Sequence, residues 1–282
     1  GLNANNISKF MGIFNGTSNF ILSKMTHEQT TFKDALEEAQ RLGFAEADPT
    51  DDVEGVDAAR KVVITSYLSF NQVIKLNDVK SVGISDITLA DINAASALNY
   101  KIKSIGKGTY ENGYVNASVE PTLIHKNHQL AAVENEYNAI YVIGDAVGDT
   151  MFYGKGAGSL ATGSAVVSDL LNVALFFESN LHTLPPHFEL KTEETKEMMD
   201  GAEPVVIQEK SNYYIVISNN NKSLEKVEYD IKKKLPFHKS LQLVERDQDT
   251  YAIIVTGIET SPEKVLNQSG FNIKKVYPVE GV

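Results

Sequence analysis

One stretch concentrates more chemistry than any other: Glu46, Asp48, Asp51, Asp52, Glu54 and Asp57 all precede a lysine at Lys61. An amine among carboxylates can give or take a proton, because burial disfavours its charged form and the carboxylates favour it. Asp48-Pro49 reads as a helix start, with Asp as N-cap and Pro in the first helical position. A helix from there through about Leu68 places Asp57, Lys61, Ile64 and Leu68 on one stripe. The charged pair then shares its face with apolar residues, so it is expected to point toward the interior or into a cleft. By spacing alone an Asp and a Lys four apart are more often a surface pair, worth a few tenths of a kcal/mol. The shared stripe, the glycines at Gly43 and Gly55 and the excess of carboxylates around one lysine favour a site. Gly55 weakens a helix, which suggests close approach by a backbone or a ligand.

Composition narrows the class. The chain has 282 residues, 42% hydrophobic and 22% charged, with a net charge of −11. That is the make-up of a globular protein of one large or two ordinary domains, and the acidity argues against nucleic acid or an anionic membrane surface as partner. The absence of cysteine excludes disulfides and thiolate metal sites. No apolar run approaching a membrane span and no signal peptide are read, so a cytoplasmic location is the expectation. The chain opens at Gly1 in the middle of a motif and is expected to be a fragment of a longer protein.

The elements that must carry the lysine follow from local pattern. Asn3 to Phe14 is a short helix or turn and then a strand; Asn15-Gly16 is a turn, and Thr17 or Ser18 caps a helix through Met25. Thr31 to Leu42 is an amphipathic helix, capped by Thr31 and stopped by Gly43. Val82 to Ile87 reads as a strand and Thr88 to Leu98 as a helix. Alternation over Tyr100 to His125, with Gly113 in a turn, gives antiparallel strands, and Ala139 to Ile143 continues the sheet. His125 and His128 are too loosely spaced for a metal site. Gly154-Lys155-Gly156-Ala157-Gly158 is not a dinucleotide fingerprint, since Ser159 stands where its third glycine belongs. Its glycines let a ligand approach before a helix from about Ala161 to Phe177, whose N-terminus suits an anion. Leu184-Pro185-Pro186 marks a boundary. Beyond it lie a strand at Tyr213 to Ile217, a helix at Ser223 to Leu235, strands at Leu241 to Glu245 and Tyr251 to Ile258, a helix at Pro262 to Gln268 and a strand at Phe271 to Tyr277. The fold class expected is α+β, a mostly antiparallel sheet with helices on one face followed by a βαββαβ ferredoxin-like unit.

Ala39…Gly43-Phe44, Asp48-Pro49, Asp52-Val53, Gly55, Asp57 and Lys61 together resemble the signature of homoserine dehydrogenase. Gly12 to Leu22 is similar to that family's Asn-Gly-Thr segment. Gly154 to Gly158 with Thr162 and Ser168-Asp169-Leu170 is similar to its glycine-rich loop and helix, with Ala161 where proline is expected. The resemblance covers roughly Leu2 to Leu190. It implies NADP- or NAD-dependent interconversion of aspartate semialdehyde and homoserine, with Lys61 and Asp57 catalytic. It further implies that Glu46, Asp52 and Asp57 bind substrate and that Gly43, Glu46 and Gly158 line the cofactor. The family's Rossmann domain, with a second functional lysine and a monovalent-cation site, would lie upstream of Gly1. The domains implied are a substrate-binding and dimerisation domain at 1–190, a linker at 191–208 and a unit resembling a regulatory ACT domain at 209–282. A homodimer or higher homo-oligomer is expected. The alternative reading is an amino-acid-sensing or dimerisation module without catalysis.

Overall fold

The computed structural model describes residues 2–178, 211–218, 222–235, 238–258, 262–267 and 271–281. The 184–186 boundary and the 191–208 linker lie outside the described residues, as do three of the asparagine-rich residues between Ser218 and Lys222.

Among the described residues ten strands form one sheet in the order β6-β5-β1-β3-β4-β10-β7-β9-β8, with the short β2 also on β4. In chain order these are β1 (Ile7–Ile13), β2 (Lys80–Ser81), β3 (Tyr100–Glu111), β4 (Tyr114–His125), β5 (Tyr137–Gly144), β6 (Gly148–Lys155), β7 (Ser211–Ser218), β8 (Ser240–Asp247), β9 (Thr250–Ile258) and β10 (Ile273–Glu280). All pairings are antiparallel except β2 and β10, which run parallel to β4. The helices are α1 (Gly16–Glu28), α2 (Phe32–Arg41), α3 (Thr50–Val53), α4 (Val56–Phe70), α5 (Leu89–Ala97), α6 (Ser159–Glu178), α7 (Leu224–Lys234) and α8 (Pro262–Asn267). The mixed α+β fold with a largely antiparallel sheet is the expected one.

Packing explains why the pieces cohere. Ala58, Ala59, Val62 and Phe70 of α4 pack on Phe10, Phe14, Ala117 and Val119. A larger core joins α1, α2 and α5 to Ile102 and Leu123 and, from the C-terminal strands, to Tyr214, Val216, Ile254, Tyr277 and Val279. The opposite face of those strands holds its own core with Val227 and Ile231 of α7 and Leu266 of α8. The C-terminal sheet is thus apolar on both sides and covered on both sides, which the near-continuous apolar run of β9 encodes.

Several local expectations need correction. The helix read as continuous from Asp48 breaks at Gly55, whose φ of +80° is left-handed; α3 ends before it and α4 starts after it. A side chain there is strained, and a Cβ would also press on Ser81 Oγ and Val119. Asp48 accepts from the Thr50 amide and hydroxyl. Asn15, rather than Thr17 or Ser18, caps α1, accepting from the Ser18 amide at 2.8 Å. Val82 to Ile87 is not a strand. After one bond from Val82 to Val119 the chain peels off toward Val53, and Ile84 and Ile87 are buried there. The strand β6 was not anticipated, because its glycines and exposed side chains blur the alternation. Finally, Ser159–Phe177 is a helix of mean hydropathy 1.6, long and apolar enough to cross a membrane and not buried by the other described residues. This corrects the expectation that no such run exists; Thr162, Gly163, Ser164, Ser168 and Asp169 interrupt the apolar residues and hid it.

Candidate active site

The lysine sits where four segments meet. Strand β1 delivers Phe14 and Asn15 just past its end; α1 begins there, α4 lies across, and β5 runs alongside with Ile13 opposite Ala139. From α4, Lys61 Nζ donates to the Phe14 carbonyl at 3.0 Å and to Asp57 Oδ2 at 2.7 Å. Asn15 Nδ2 donates to Asp52 Oδ1 at 2.7 Å and to Asp57 Oδ2 at 3.0 Å. One buried amide thus caps α1 through its oxygen and ties two carboxylates together through its nitrogen. The break at Gly55 makes this possible by letting Asp52, before it, converge with Asp57, after it.

The Lys61 side chain is 46% exposed and that of Asp57 30%. In this chain the pair is a reachable one, and the stripe it shares is open: Ile64 and Leu68 are 59% and 69% exposed. The stripe does not face the interior. It borders a cavity of about 420 Å³ lined by Lys61, Ile64, Asn138, Phe152, Tyr153 and Gly156, among others. This is the cleft alternative of the sequence reading, with apolar walls, two lysines, Lys61 and Lys155, and a glycine-rich rim.

The other expected residues lie around it. Gly43 and Glu46 are exposed on the loop after α2. That loop is held against α1 by a bond from the Thr17 hydroxyl to the Phe44 carbonyl and by the Phe20 and Phe44 rings, 5.0 Å apart. Gln40 Nε2 fixes the Glu46 carbonyl at 3.1 Å. Gly158 stands at the foot of α6 with open space where a Cβ would be, as do Gly43 and Gly154. No hydrogen bond among the described residues joins Gly43, Glu46 or Gly158 to Lys61. A ligand can approach the backbone there without displacing side chains.

Two residues escaped the sequence reading. Asn15 was seen only as part of a turn, although an asparagine before glycine is a frequent cap and has donors to spare. Asn138 was not singled out; its one signal is an amide in the otherwise apolar start of β5. No group of metal-binding side chains occurs among the described residues. His125 and His128 each use Nδ1 to accept a nearby backbone amide.

The arrangement is that of an α+β protein with a lysine–carboxylate pair beside a glycine-rich loop. The homoserine dehydrogenase family model matches residues 1–171, and the model of the homoserine dehydrogenase C-terminal domain matches residues 210–282. The chain is similar to homoserine dehydrogenase of Bacillus subtilis, 54% identical over 173 residues, covering 61% of this chain and 40% of that protein. Among solved structures, a Staphylococcus aureus homoserine dehydrogenase at pH 7.5 superposes with a TM-score of 0.86 at 71% identity, over 99% of this chain and 66% of that one. A hyperthermophilic archaeal homoserine dehydrogenase mutant in complex with NADPH is 28% identical over 62% of this chain and 49% of that one, with a TM-score of 0.52. The chain belongs to the homoserine dehydrogenase family. It spans less than two thirds of the length of these relatives.

Proposed function

We propose that this chain carries the substrate half of a homoserine dehydrogenase, which interconverts L-aspartate 4-semialdehyde and L-homoserine with NADP or NAD. The observation that carries the reading is the Lys61 amine, held by the Phe14 carbonyl and Asp57 at the mouth of the cavity. In the direction of oxidation Lys61 accepts the proton of the homoserine hydroxyl, and in reduction it returns that proton to the aldehyde oxygen. Asp57 orients the amine and the hydroxyl, and Asp52, tied to Asp57 through Asn15, completes an acidic wall suited to the substrate ammonium. Glu46, exposed on the loop after α2, adds a carboxylate for the same ammonium. Gly43, Glu46 and Gly158 would lie against the nicotinamide cofactor, which when bound supplies or takes the hydride. A nucleotide-binding segment, with any monovalent-cation site, is supplied from outside these residues, and the apolar surface of α6 is covered by protein in the complete enzyme.

The C-terminal strands and helices, β7-α7-β8-β9-α8-β10 in the order β10-β7-β9-β8, support an ACT-like unit whose role is packing and assembly. A homodimer and a cytoplasmic location complete the proposal. The test is made on the complete enzyme, meaning this chain together with its nucleotide-binding segment. Lys61→Ala lowers kcat for homoserine oxidation by about a hundredfold or more, the scale of a general acid/base, while Glu46→Ala mainly raises KM for homoserine. Near-normal constants for Lys61→Ala reduce the lysine to a helix-surface partner of Asp57.

A further inference from the structure

Resting on the dehydrogenase reading, we infer that Asn138 is a positioning residue for Lys61, acting through the carbonyl of Phe14 and seated by Gly156. The Phe14 carbonyl lies between the end of β1 and the start of α1. Two donors converge on it, Lys61 Nζ at 3.0 Å and Asn138 Nδ2 at 3.2 Å. A carbonyl oxygen has two lone pairs, so the pair of donors saturates it and fixes the direction from which the lysine must approach. The amide orientation follows from the partner: a carbonyl only accepts, and turning the amide over would set two oxygens against each other.

Three features make this more than a strand contact. Asn138 comes from β5, opposite Gly154 of β6, so it ties the lysine's anchor to the strand that leads into the glycine-rich loop. A Cβ on Gly156 would lie 2.2 Å from Asn138 Nδ2 and 2.8 Å from its Cγ, so the loop can close over the amide only because residue 156 is glycine. The Asn138 Oδ1 atom is buried without a hydrogen-bond partner, 3.4 Å from where a Gly16 Cβ would stand. An unpaired buried acceptor is a stability cost, which an asparagine retained only for packing would not need to carry. The donor toward Phe14 is what that cost maintains.

The experiment is steady-state homoserine oxidation by the complete enzyme as a function of pH, with melting temperatures measured alongside. Asn138→Ala removes the second donor, and kcat is expected to fall about tenfold with KM for homoserine within about twofold, an orienting loss. Because the unpaired acceptor goes with the donor, the melting temperature shifts by only a few degrees, about what 1 kcal/mol produces. Asn138→Asp keeps the shape and places a negative charge within about 6 Å of the Lys61 amine, since both groups touch one oxygen. That charge favours the protonated amine, so the limb of the pH–rate profile that reports proton acceptance moves upward by about half to one pH unit. Gly156→Ala displaces the same amide and is expected to be non-additive with Asn138→Ala. Should Asn138→Ala fail to fold, the isosteric Asp variant carries the test through its profile alone. Unchanged kcat in the Ala variant, or an unmoved limb in the Asp variant, overturns the inference while an active wild type keeps the dehydrogenase reading. A wild-type enzyme inactive toward homoserine overturns that reading and this inference with it.

Discussion

Asp91 offers the sharpest stability test, because it is wholly buried and holds the two parts of the sheet system together. It accepts from the Thr88 amide at 3.0 Å and hydroxyl at 2.8 Å, closing a reciprocal cap on α5. It also accepts from Arg246 Nε of β8 at 2.8 Å and from Lys275 Nζ of β10 at 2.7 Å. Burial pushes its carboxyl upward, yet the bonds from Arg246 and Lys275 outweigh this and hold it below the usual value. Asp91→Ala leaves Lys275, 19% exposed, without its carboxylate and Arg246, 10% exposed, with Asp247 in place of two carboxylates. Breaking one side of a buried ion pair costs about 3–5 kcal/mol, and losing a cap roughly 1 more. A loss of about 4–6 kcal/mol is comparable with the whole stability of many domains. Asp91→Asn, which keeps the shape and part of the cap, should lie between. Equilibrium urea unfolding followed by circular dichroism reads the change; tryptophan is absent from the chain, so its fluorescence cannot serve. The wild type is expected to unfold in one transition and Asp91→Ala in two, the C-terminal strands melting first. The contribution is present above the unfolded carboxyl's range near 3.8 and is lost as pH falls below it. A loss under about 1 kcal/mol for the Ala variant would refute the reasoning, since no buried charge would then have been left unpaired.

Further outcomes are expected. This chain by itself, mixed with NADPH and aspartate semialdehyde, should show no oxidation of the cofactor by absorbance; turnover at the rate of a complete enzyme contradicts the half-site assignment. Lys103 is 2% exposed and burial pulls its amine down to about 8, while Lys103 and Lys101 outweigh burial and hold Glu134 at about 2. Between about pH 8 and 10 the unfolded chain keeps a proton that folded Lys103 has released, so stability should rise by up to about 2 kcal/mol; Lys103→Met should flatten that slope in urea titrations. The Glu134 contribution is present above about pH 4.5 and fades as pH falls toward 2. Light scattering at micromolar concentration should give a dimer, with exposed Phe152 and Tyr153 of edge strand β6 marking one candidate face. Calorimetry with threonine should give no saturable heat if the C-terminal unit serves assembly alone.

What the sequence made legible was what short-range physics controls. Thr31 caps the helix it was expected to cap, and the β3–β4 hairpin turns at Gly113, because cap and turn chemistry act over a few residues. The α4 stripe was legible as a pattern but not in direction. Periodicity groups Lys61 with Ile64 and Leu68, whereas the cleft that Lys61 and Ile64 border is walled by β5 and β6, residues about 80 positions away. The strand order, with β10 returning to lie parallel to β4, and the triangle of Asp91, Arg246 and Lys275 depend on pairings across more than 150 residues, for which no local signal exists.

The same distinction orders the site itself. Lys61 and Asp57 are neighbours on one helix turn, so their partnership could be read from spacing. Their surroundings could not, because the partners come from far along the chain: Asn15 is 42 residues from Asp57, and Asn138 is 124 residues from the Phe14 it bonds. A lysine has long, flexible torsions, and two helical neighbours leave its amine free to swing. The Phe14 carbonyl, presented by the end of one strand and bonded from another, gives that amine a fixed third partner, which under the proposed function aims it as an acid/base group. The chemistry is thus encoded locally and the aim is encoded by the sheet, which explains why the aspartate and lysine were visible at once and the asparagines were not.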